Sequence, residues 1–206
     1  MSPMIETVSG DMQEKYNTYK TMMKRYNLAV KHEFYFEAML IIYAMLEDRF
    51  RSFIYHAGFL DDRDSKGLGH KRLKLFVRFL MEEYCDIPHD SRLKLDNISA
   101  KMDVVKALIM WAQNDREPVG KFQTELKKQL KKVECDELLV KLTELTEWLR
   151  CRNEIIHGLM NKKADKLADS LPEMVEKGLA FARFFDKQVG RIDKKDSIRN
   201  LRMMRK

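Results

Sequence analysis

Three side chains in one short stretch of this chain could hold a phosphate and move a proton. They are Arg152, Asn153 and His157, within Trp148–Gly158, which reads Trp-Leu-Arg-Cys-Arg-Asn-Glu-Ile-Ile-His-Gly. Asn153 and His157 are four residues apart, so on a helix they stand one above the other on the same face. Arg152 precedes His157 by five and points roughly 140° away around the axis. Only a long side chain can curl back from there, and an arginine brings a planar fork of donors that matches two oxygens of a phosphate. His157 falls in the last helical turn, and an imidazole is the side chain that can both take and give a proton. A phosphate clamp beside a proton-transfer group is what cleavage of RNA requires.

Arginine–histidine pairs of similar spacing recur along the chain, including Arg25 with His32, Arg51 with His56, Arg63 with His70 and Arg150 with His157. Arg152 is set apart by its context: an asparagine directly follows it, that asparagine shares the histidine's face, and the helix ends where an imidazole reaches solvent. The hexapeptide Arg152-Asn153-Glu154-Ile155-Ile156-His157 resembles the Arg-x(4–6)-His signature, with a polar residue after the arginine, of the HEPN superfamily (higher eukaryotes and prokaryotes nucleotide-binding domain). The resemblance implies an α-helical bundle, a homodimer in which two motifs meet in a cleft, and RNA cleavage that uses neither metal nor cofactor. Arg152, His157 and Asn153 would then be the catalytic residues. It further implies a role in defence or growth arrest, as a toxin or abortive-infection protein, with an antitoxin protein as a candidate partner. The alternative is a non-catalytic module of the same fold that grips a nucleotide, RNA or a protein.

The elements that must position these residues are all helical. Leu138, Leu139, Leu142, Leu145, Leu149, Ile155, Ile156 and Leu159 recur at helical spacing and predict a motif helix over 137–159 that stops at Gly158. Before it, a helix is expected over 11–27, and a central rod over 30–56 on Phe34, Ala38, Ile41, Ile42, Met45, Phe53 and Ile54. Further helices are expected over 70–84 and from Asn97 or Ser99 to Asn114. A short basic helix over 121–132 has only Phe122, Leu126 and Leu130 as a thin stripe, and so is expected at the periphery. The last long helix starts after Ser170, a candidate N-cap, with Pro172 in its first turn, and runs to about Val189. No period-two strand pattern, internal repeat or glycine-rich phosphate loop appears.

The fold class is therefore all-α, an antiparallel helical bundle with additional peripheral helices. Residues 1–10 are expected to be flexible, 11–190 to form one bundle with 86–132 as a candidate insertion, and 191–206 to form a basic C-terminal segment.

The net charge of +7 is concentrated at the C-terminus, where residues 183–206 carry nine Lys or Arg against three Asp. A second run holds Lys121, Lys127, Lys128, Lys131 and Lys132 against Glu125. Such clusters draw nucleic-acid phosphates by counterion release, although a basic helix is also ordinary solvated surface. Lys127, Lys128, Lys131, Lys132, Arg191, Lys194 and Lys195 are the RNA-binding candidates. Glu47 lies in a charged group with Asp48, Arg49 and Arg51. That group reads mainly as structural, but Glu47 could cross to the motif helix and hold Arg152 or Asn153. Three cysteines, Cys85, Cys135 and Cys151, form no paired spacing, so neither a disulfide framework nor a zinc site is indicated. With no apolar run longer than the nine residues 38–46 and no visible leader, a cytoplasmic protein off the membrane is expected.

Overall fold

The computed structural model describes residues 4–61, 67–88, 94–158, 169–192, 198 and 201, with side chains from Tyr16 onward. The helices are α1 (Met4–Lys31), α2 (Tyr35–His56), α3 (Lys71–Cys85), α4 (Ile98–Gln113), α5 (Gly120–Leu130), α6 (Cys135–Gly158) and α7 (Leu171–Arg191). There is no strand among the described residues, so the chain is all-α. No helix among them is long and apolar enough to cross a membrane.

Most boundaries follow local chemistry. The Nδ1 of His70 caps α3 by accepting from the backbone N–H of Arg72 at 3.2 Å, and the Oδ1 of Asn97 caps α4 from Ala100 at 2.8 Å. Asp86 closes α3 in the left-handed conformation. Ser170 precedes α7 as expected, with Pro172 in the first turn, but its side chain makes no capping hydrogen bond there.

Two expectations need correcting. Helix α1 begins at Met4, not Asp11; the one glycine in that stretch, Gly10, costs only about 1 kcal/mol in a helix and does not stop it. The rod expected from residue 30 instead begins at Tyr35, because the chain breaks at 32–34. Glu33 sits at φ 59°, the Glu33 N–H donates to Val30 O at 3.1 Å, and the Phe34 N–H donates to Ala29 O at 2.8 Å. That pair of bonds is a Schellman closure, normally built on glycine.

Helix α2 is the centre of the bundle and packs against α7, α1 and α4. Its Ala38, Met39, Ile42, Leu46, Phe50, Phe53 and Ile54 are buried, and Phe50 meets Phe185 with ring centroids 4.7 Å apart. The helices are not antiparallel throughout. Ile42 lies by Gly178 and Phe50 by Phe185, so α2 and α7 run the same way. Between α6 and α7 the order reverses, with Trp148 bonded to Met174 and Glu134 to Gln188. A network of Tyr19, Asp48, Arg49 and Asp186 ties α1, α2 and α7 together. Arg49 stands 4.1 Å over the Tyr19 ring and donates to its hydroxyl at 2.7 Å, while that hydroxyl donates to Asp48 at 2.6 Å. Burial, reinforced by Asp48, pushes the Tyr19 phenol far above its usual range.

Helix α5 is more integral than its thin stripe suggested. Leu126 and Leu130 are fully buried, and Phe122 meets Phe59 edge to face at 5.9 Å. Near the C-terminus, Ile192 and Ile198 are buried, and Ile198 lies against Gly58 so closely that a Cβ there would come within 2.8 Å. Gly58 has φ 83°, which favours glycine in any case.

Candidate functional site

Helix α6 carries the motif on its last two described turns, with Gly158 as its last described residue. Leu149 and Ile155 fix its buried face, and Trp148 anchors it to α7 by donating Nε1–H to Met174 O at 2.8 Å. This leaves Asn153 and His157 exposed and Arg152 half-buried.

Two neighbouring arginines on this helix have different surroundings. Arg150 is clamped by carboxylates: Nη2 and Nε donate to Glu147 at 2.6 and 3.0 Å, and Nη1 donates to Glu154. Its charge is neutralised locally, and its pKa is raised chiefly by Glu147. Arg152 pairs with no carboxylate among the described residues. Its Cζ stands 4.0 Å over the ring of Tyr43 on α2, its Nη1 donates to Asn153 Oδ1 at 2.9 Å, and its Nε is shielded with no hydrogen-bond partner. Burial lowers its pKa, offset in part by Tyr43, yet a guanidinium stays charged at any physiological pH. An unmet buried donor costs about 1–3 kcal/mol.

Glu47 does not hold Arg152 or Asn153. Its Oε1 accepts from Lys101 Nζ at 2.7 Å, and that ammonium also donates to Asn97 O at 3.3 Å. Lys101 is 1% exposed, a charge sunk into the core and held there by Glu47. Neither Lys101 nor Tyr43 was singled out by the sequence. Tyr43 has one local clue, since it stands four residues before Glu47 on α2, but its arginine is more than a hundred residues away.

The cleft on the α7 side of the motif helix, about 290 Å3, is lined by Glu147, Trp148, Cys151, Glu154, Glu173, Met174 and Lys177, among others. Its acidic lining is unsuited to a polyanion, whereas Arg152 turns to the α2 side. Cys151 is no activated thiol, because burial first and Glu147 second push its pKa up. No three of His, Cys, Asp and Glu gather as metal ligands among the described residues.

The basic candidates divide. Lys127 is 8% exposed, and its ammonium donates to the carbonyls of Asn114 and of Arg116, the latter at 2.7 Å, so it closes the end of α4. Arg191 binds Glu134 and, at 3.3 Å, Lys132 O, joining α7 to the start of α6. Lys132 donates to Gln129 at 2.7 Å. Lys128 and Lys131 are exposed on a groove of about 430 Å3 beside Asn114–Pro118. Lys194 and Lys195 lie outside the described residues. No family model, curated protein or solved structure matches this chain.

Proposed function

We propose that this chain is a metal-independent endoribonuclease of HEPN type, acting as a homodimer in which two copies of Arg152 and His157 meet over one RNA strand. One His157 takes the proton of a ribose 2′-OH, and the 2′-oxygen attacks the adjacent phosphorus. The bond from phosphorus to the 5′-oxygen breaks, and the second His157 protonates that leaving oxygen. The products are a 2′,3′-cyclic phosphate and a 5′-hydroxyl. No water is consumed and the nucleophile is internal, so the site must only position and stabilise. Arg152 holds the scissile phosphate and offsets its growing charge, and Asn153 keeps Arg152 and the RNA in register.

The observation that carries this reading is the state of Arg152, a half-buried guanidinium with no carboxylate, one donor unmet, and an exposed histidine one turn on. Purified protein should cut single-stranded RNA in excess EDTA and leave cyclic phosphate ends. Arg152→Ala and His157→Ala should each lose that activity while keeping the wild-type melting temperature. Activity that survives both changes would refute the assignment. The setting that fits is cytoplasmic defence or growth arrest, with a protein antitoxin as a further partner.

A second reading is a non-catalytic RNA- or nucleotide-binding module. What favours it is that Arg152, Asn153 and Tyr43 form a gripping surface within one chain, whereas cutting calls on a second chain. Binding without turnover, kept in His157→Ala and weakened in Arg152→Ala, distinguishes it.

A further inference from the structure

Arg152 is anchored in an unusual way for a half-buried arginine, by an aromatic ring on another helix and not by an acid. We infer that Tyr43 is the positioning residue that aims Arg152 at the RNA phosphate, an inference that rests on the reading of Arg152 as the phosphate-binding group.

The two kinds of anchor leave different parts of a guanidinium free. A carboxylate partner holds a guanidinium through its in-plane N–H donors and cancels its charge, as Glu147 and Glu154 do for Arg150. An aromatic ring holds it through the face. With Cζ 4.0 Å over the Tyr43 ring, the group is fixed while its outer edge and full charge stay available. Asn153 takes only Nη1, which leaves the outer edge of the guanidinium for phosphate oxygens. Nε is shielded on the inner side of the group, so it is the outer edge that faces an arriving phosphate.

The surroundings keep that state in place. Glu47 is one turn beyond Tyr43 on the same face of α2, close enough to act on the Tyr43 phenol, as Arg152 also is. It is an acid on the face of α2 that Arg152 meets. Lys101, buried and 2.7 Å from Glu47 Oε1, occupies it instead. The core lysine and the ring together leave Arg152 held but unneutralised. The ring supplies the hold, so the phenol hydroxyl is not needed.

The test is a double-mutant cycle read by fluorescence anisotropy of a labelled single-stranded RNA 12-mer at fixed salt, with EDTA and His157→Ala throughout so that nothing is cut. Arg152→Ala should weaken binding roughly tenfold. Tyr43→Leu should lose most of the same factor, Tyr43→Phe should stay within about twofold of the parent, and Tyr43→Leu added to Arg152→Ala should change nothing more. Tyr43→Met replaces the leucine variant if that one does not fold. A leucine variant that binds like the parent while Arg152→Ala is weak overturns the role of Tyr43 alone. So does a leucine effect that persists undiminished without Arg152, or a phenylalanine variant as weak as leucine. Parent-like binding by Arg152→Ala removes the underlying reading, and the inference falls with it.

Discussion

Trp148 and Gly178 are in close contact across the α6–α7 interface: a Cβ added to the glycine would come within 2.7 Å of the indole Cζ2 and 2.9 Å of Ile42 Cγ2. Gly178 sits inside a helix, where alanine would ordinarily gain about 1 kcal/mol. Here the added methyl meets a ring pinned by its hydrogen bond to Met174, and overpacking of this kind costs about 1–3 kcal/mol. The second effect should win. Gly178→Ala is expected to lower the melting temperature by a few degrees and, because Trp148 stands one turn before Arg152, to reduce RNA cleavage as well. Thermal melts and cleavage rates of the variant check both; a raised melting temperature would show that the interface yields.

The lysines of α5 should separate into two kinds. Lys127→Ala removes the ammonium from two carbonyls near the end of α4 and should cost about 1–3 kcal/mol in chemical denaturation. Lys128→Ala and Lys131→Ala, on exposed positions, should change stability by less than about 0.5 kcal/mol. If RNA crosses their groove, each should lower the slope of log affinity against log salt by about 1. Unchanged slopes would route the RNA elsewhere.

Glu134 gives a dependence on acid. The hydrogen bond from Gln188, followed by Lys187 and Arg191, holds its carboxyl below the ordinary value of 4.5. A depressed carboxyl contributes stability that is full above the unfolded value and is lost as pH falls through the folded one. Melting temperature should therefore fall below about pH 4.5 more steeply in the wild type than in Glu134→Gln, which lacks the titrating group. Parallel curves for the two proteins would contradict this.

Much of the fold was legible in the sequence because the helices are amphipathic and punctuated by Gly, Pro, Asn and Asp. The break at Glu33 was not, since the left-handed position is filled by a residue with no turn signal. Helix α5 looked peripheral because a count of apolar residues misses how deeply Leu126 and Leu130 sit, and Lys127 looked like surface because composition cannot show a lysine spent on carbonyls. At the site, the spacing of Arg152, Asn153 and His157 was readable. Tyr43 and Lys101 were not, because each acts through a contact between helices distant in sequence. Spacing alone left Arg150 and Arg152 as rivals; the asparagine after Arg152 set it apart in the sequence, and the surroundings of the two separate them in the structure.

The most direct measurement compares RNA cleavage in EDTA by Arg150→Ala and Arg152→Ala. These residues are two apart on one helix, both at Arg-x-His spacings, one neutralised by Glu147 and Glu154 and the other resting on Tyr43. Loss of about a hundredfold or more is expected for Arg152→Ala, with Arg150→Ala within about threefold of wild type, since its exposed pairs are worth little. Equal losses in both, or a loss in Arg150→Ala alone, would contradict the assignment of the phosphate-binding role to Arg152.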